Sequence, residues 1–171
     1  MPQFNCLSRY TFAATLIFSW SIATNAEELF PAVLTNFSPG VSIPVFTAQG
    51  KGHWDVKIRE RGWILFDNDV QPGTPGWRMW YTGYDGTREG QKKLGLATSV
   101  DGVTWKPHPD NPIYDEAWIE DMMIVPHSGT LYMFAEGKDD QAHLLTSKDG
   151  VAWQRVGILN VQKANGEPIE S

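Results

Sequence analysis

The side chains able to do chemistry in this chain are mainly carboxylates, and two of them share a local setting. Asp55 in HWDVKI and Asp121 in IEDMMIV each open a hydrophobic stretch, 66 positions apart. Two carboxyl groups brought to one pocket can do general acid–base chemistry, one protonated and one ionised. Two like charges in one pocket raise one pKa, which is how an acid keeps its proton at neutral pH. Each aspartate also has a plainer reading. Asp55 can cap a strand or pair with Lys57 or Arg59, and Asp121 can sit in an exposed bend. Glu120 stands beside Asp121, and strand alternation lets only one of these neighbours face a given side. The expectation is that Asp121 faces inward.

Other residues are candidates for contact rather than reaction. Glu136 closes the aromatic run LYMFAEG, where it can bond within its sheet or touch a substrate. Asp139, Asp140 and His143 flank a loop from which they can reach a ligand's hydroxyl groups. His53 beside Trp54 suits a sugar subsite, because an indole face packs on a pyranose ring, and it suits a buried pair at a strand start equally well. The four His are scattered singly, without H-x-x-x-H spacing, so no catalytic transition metal is expected. G-x-S-x-G, P-loop and strand-linked G-x-G-x-x-G patterns are missing, which removes the signals for serine hydrolysis, nucleotide hydrolysis and dinucleotide chemistry. No cofactor is implied.

Two copies of one phrase show what positions these residues. TSVDGVTW at 98–105 returns as TSKDGVAW at 146–153, an offset of 48. Met79, Trp80 and Gly83 match Met133, Phe134 and Gly137 at an offset of 54. Short alternating or aromatic runs, divided by Gly, Pro, Asp and Asn, surround them, and no segment sustains helical periodicity. The reading is all-β: strand, turn, aromatic strand, loop, strand, Asp-Gly turn, strand, made twice. Repeated four-stranded units of about 40 to 50 residues mark the blades of a β-propeller. Asp101-Gly102 and Asp149-Gly150 are expected to supply the positive φ of a tight hairpin, the Ser and Asp side chains to tie up the turn's amides, and the Trp after each to pack between blades. The phrase is therefore expected to be architecture and not a ligand site.

The strand openings and S-x-D-G-x-x-W turns, with WIEDMMIVPHSGTLYMFAEGKDDQAHLLTSKDGVAW as the most specific stretch, resemble the five-bladed propeller glycosidases. That group holds glycoside hydrolase families 43, 32 and 117 and the family 130 phosphorylases. The resemblance covers about residues 50 to 160. The turn is also similar to the Asp-box of sialidases, but it has one residue fewer between Asp and Gly. The resemblance implies an acidic residue near the start of the innermost strand of successive blades. It casts Asp55 as base or nucleophile and Asp121 as the orienting carboxylate, with a protonating Glu from a later blade. It implies a carbohydrate substrate, and it leaves open a structural cation in the channel.

Organisation follows. Residues 1–26 read as a secretory signal peptide: Arg9 gives a positive start, Tyr10 to Ile22 is largely apolar, and Thr24-Asn25-Ala26 suits a signal peptidase. The apolar run falls short of the ~20 residues a membrane span needs. A secreted or periplasmic location is expected, with no membrane contact after cleavage. Cys6, the only cysteine, lies in this leader, so the mature chain would lack thiol chemistry. Residues 27–52 read as a leading strap or strand, and 53–171 as a partial propeller of about two blades plus the start of a third. Closed propellers have at least four blades, so the ring is expected to be incomplete in this chain. The net charge of −6, more negative still without Arg9, disfavours nucleic acid as a partner.

Overall fold

Alternation decides the strands. TLYMFAE and AHLLTS bury every second residue, as strands with one face on a core must, and both are extended. A computed structural model of the chain describes residues 36, 38, 40, 42–59, 61–68 and 73–167. The expected signal peptide with Cys6, and the start of the strap, lie outside the described residues. The chain divides into two units, Met1–Gly40 and Val41–Ser171, and everything below concerns the second.

Among the described residues nine strands form two antiparallel sheets: β1 (Lys57–Ile58), β2 (Trp63–Phe66), β3 (Trp77–Tyr84), β4 (Lys93–Ser99) and β5 (Lys106–Pro107) in the first, and β6 (Glu120–His127), β7 (Thr130–Glu136), β8 (Ala142–Ser147) and β9 (Trp153–Ile158) in the second. In the first sheet β1 and β2 both pair with β3, so they are two halves of one interrupted inner strand. The Arg59 amide donates to Thr82 at 2.9 Å across the interruption. The second sheet runs β6-β7-β8-β9 in simple order. Two four-stranded blades in sequence, inner strand first, are the propeller arrangement that the repeat predicts.

The core lies between the blades. Trp80, Leu94 and Leu96 of the first face Ile124, Met133 and Leu145 of the second, all buried. Trp80 binds the two together: its Nε1–H donates to the Gly150 carbonyl at 2.8 Å, and its ring meets Trp153 edge to face at 6.3 Å. Arg78 donates to the Asp149 carbonyl at 3.0 Å. The turn of the second blade thus docks on the aromatic strand of the first.

The two turns are built alike. Ser99 Oγ accepts from the Gly102 amide at 2.9 Å and Ser147 Oγ from the Gly150 amide at 2.8 Å. Asp101 and Asp149 each accept two further turn amides, from Val103 and Thr104 and from Val151 and Ala152. These amides hold both carboxyls below the usual carboxylate range. Among the turn residues, positive φ falls on Gly102 (73°) and Gly150 (80°) and not on the aspartates, which serve as amide acceptors instead.

Candidate functional site

Strand pairing puts the starts of β1, β4, β6 and β8 at one end of the blades and the Asp-Gly turns at the other. All the site candidates lie at the first end. Their arrangement depends on a break in β6. Glu120 pairs with Glu136, yet Met123 pairs with Phe134, so Asp121 and Met122 together oppose the single residue Ala135. This β-bulge, with Asp121 at φ 41°, cancels the alternation expected for the pair. Glu120 and Asp121 line two different clefts, and neither excludes the other.

Glu120 belongs to the larger cleft, of about 490 Å³, lined also by Arg59, Tyr84, Arg88, Lys92, Trp118 and Asp139. Arg59 Nε stands 2.7 Å from one of its carboxylate oxygens and Trp118 Nε1 donates to the other at 2.6 Å. Lys92 is buried beside it, its ammonium 4.4 Å from the Tyr84 ring centre and 4.2 Å from that of Trp118. It donates to the carbonyls of Gly90 at 2.8 Å and Arg88 at 3.0 Å. Burial pushes the Lys92 ammonium below its ordinary pKa, against the pull of Glu120.

Asp121 lines a second cleft, of about 270 Å³, with Glu136, Asp140, Met123 and Phe134. Arg61, from the interrupted inner strand of the first blade, pairs with Asp121. Burial, then the charge of Asp121 and hydrogen-bond contact with Asp140 and Asp121, pushes the Glu136 carboxyl up. The two clefts meet at Glu120-Asp121 and at Asp139-Asp140, which belong to the 3-10 turn Lys138–Asp140.

The remaining candidates stand apart. Asp55, two residues before β1, is 0% exposed and lines neither cleft. Gly83 makes room for it: a Cβ there would come within 2.7 Å of Asp55 Cβ and 2.4 Å of the Trp54 ring. Burial raises the Asp55 pKa, against the opposing pull of the Gln49 amide and, more weakly, the Tyr81 hydroxyl. Tyr81, itself pushed up by burial and by Asp55, accepts from Asn111 at 3.2 Å and packs on Trp54 at 5.7 Å and Phe46 at 4.8 Å. His53 is exposed. His143 is 6% exposed against Gly137, its Nδ1 unpartnered, and burial lowers its pKa. Among the described residues no group of three or more His, Cys, Asp or Glu is arranged to hold a metal ion. Arg61, Lys92 and Trp118 are site residues that sequence reasoning missed. For Arg61 the run of cations in KIRERG, between two inner-strand segments, was the available signal.

No family model matches the chain, and no curated protein matches it. Solved structures do. BT0996, in a complex with RGII, matches with a TM-score of 0.57 and 22% identity over 73% of this chain and 40% of its own. A glycoside hydrolase matches with a TM-score of 0.58 and 21% identity over 73% and 40%. Zg3597, a family 117 glycoside hydrolase produced by the marine bacterium Zobellia galactanivorans, matches with a TM-score of 0.53 and 17% identity over 67% and 31%. The chain spans less than half the length of each. It has the fold of the glycosidase-like propeller group, as part of a propeller.

Proposed function

We propose that this chain carries the carbohydrate-binding rim of a propeller glycoside hydrolase, with Asp121 and Glu136 as its acid. The observation that carries the reading is where backbone strain sits. Four non-glycine described residues have positive φ: Asp121, Ser128, Asp139 and Asp140. Ser128 is in the β6–β7 hairpin, and the other three line the two adjoining clefts. Asp139 and Asp140 take theirs in the 3-10 turn, but Asp121 holds a positive φ inside strand β6, and strained backbone of that kind gathers at functional sites, where surrounding structure fixes it. The glycoside hydrolase folds that this chain resembles support a sugar as the ligand.

The chemistry follows from placement. Asp121 and Glu136 line one cleft, and burial together with the charge of Asp121 pushes the Glu136 carboxyl up, which favours its protonated form. Asp121 and Glu136 therefore act on the same side: Glu136 delivers its proton to the departing oxygen while Asp121, held by Arg61, orients it. The attacking side needs another carboxylate. Asp55 is proposed for it as base or nucleophile, which requires Asp55 to be uncovered from beside Trp54 and Tyr81. The protonating role implied for a later blade would then be filled within this one.

A non-catalytic glycan-binding propeller is the second reading, and the burial of Asp55 favours it. An arabinoside, xyloside, fructoside and agaro-oligosaccharide panel separates the two. Asp121→Asn and Glu136→Gln should each lower sugar release by about 10²- to 10⁴-fold with affinity nearly unchanged. Asp55→Asn should lose turnover similarly. Undiminished release by Asp121→Asn would remove that residue from the mechanism, and binding without release by the unaltered chain would select the second reading.

A further inference from the structure

Charge is unevenly spread over the site. The chain carries −6, yet four of its 14 basic side chains, Arg59, Arg88, Lys92 and Lys138, line the larger cleft. Three carboxylates oppose them there, Glu89, Glu120 and Asp139. Glu120 is engaged by Arg59 and Trp118, and Glu89 reaches Arg88 only at 4.0 Å. The adjoining cleft has the opposite character: Asp121, Glu136 and Asp140 line it with no basic residue.

The loop that presents Arg88 is fixed from both ends. Asp85 accepts from the Thr87 amide at 2.8 Å and its hydroxyl at 2.7 Å. At the other end Lys92 gathers the carbonyls of Arg88 and Gly90. Arg88 itself extends into solvent, its side chain 96% exposed. Lys138 enters from the second blade on the turn that separates the clefts.

We infer that the larger cleft selects saccharides bearing an oxyanion substituent, a carboxylate or a sulfate ester, held by Arg88 and Lys138 beside Arg59. This rests on the carbohydrate reading above and adds the class of sugar. A guanidinium fork matches either oxyanion with two parallel donors. The acidic cleft repels the same substituent, so the ligand can lie in one direction only: charged group toward Arg88, uncharged ring over Asp121 and Glu136. The anchored loop reduces the ordering that binding requires.

Calorimetric titration of the chain with three trimers tests this: a galacturonic acid trimer, a sulfated galactose trimer and a neutral galactose trimer. At low salt one or both anionic trimers should bind at least tenfold more tightly than the neutral one, with the advantage shrinking in 0.5 M NaCl. Whichever anionic trimer leads identifies the substituent. Arg88→Gln with Lys138→Gln, both at exposed positions, should abolish the advantage, bringing the anionic trimers to the affinity of the neutral one. Equal affinity for all three, or an advantage that survives the double substitution, would overturn the inference and leave the carbohydrate reading standing. Failure of all three to bind would overturn both.

Discussion

Glu136 concentrates the electrostatics of the site in one proton. Its folded-state pKa lies above the ordinary value of about 4.5, chiefly through burial and then through Asp121. Between those two values the folded chain holds a proton that the unfolded chain has released, so this group's contribution to stability falls as pH rises through the window. Glu136→Gln removes that titration. Denaturant unfolding at pH 4 and pH 7 should show a stability change over the interval that is less unfavourable to the folded state in the variant than in the parent, and equal changes would contradict the raised pKa of Glu136. Asp101 and Asp149 have the opposite sign. Their pKa values are depressed by turn amides, so their contribution is present above the ordinary carboxylate range and is lost on strong acidification.

The Asp-Gly turn and the inner strand are the elements that matter, and they differ in how far the sequence disclosed them. The repeated phrase announced the turn, its Ser and Asp acceptors and the packing of Trp153 between blades, because a tight turn needs those residues locally. What the repeat leaves unsaid is that Trp80 donates to the docked turn, since that contact joins residues 70 apart. Trp80→Phe keeps most of the packing but strips the Gly150 carbonyl of its partner, and should cost about 1–3 kcal/mol in denaturant unfolding. A cost near zero would mean the indole N–H contributes nothing to holding the blades. The β6 bulge was not legible. Nothing local in IEDMMIV marks an extra residue; only pairing with β7 shows that Glu120 and Asp121 aim at separate clefts.

At the scale of the molecule, the propeller architecture was legible because its signal is periodic, and periodicity survives uncertainty about any one strand. The site was legible only in part. Asp121, Glu136 and Asp140 converge on one cleft, whereas Asp55 is buried apart from them, and position along an inner strand cannot tell a carboxylate aimed into a cleft from one packed under an aromatic pair. The second blade also exposes Met123, Val125, Val156 and Ile158, as expected of an arc covering part of the length of its structural relatives. Sugar is proposed to bind at the strand-start end, where two clefts of unlike charge adjoin, with the Asp-Gly turns at the far end serving as scaffold. Amide chemical-shift mapping with an oligosaccharide tests this most directly. Shifts should gather at residues 118–121 and 136–140, with those at 99–105 and 147–153 unmoved; shifts centred on the Asp-Gly turns, with the strand-start end silent, would contradict it.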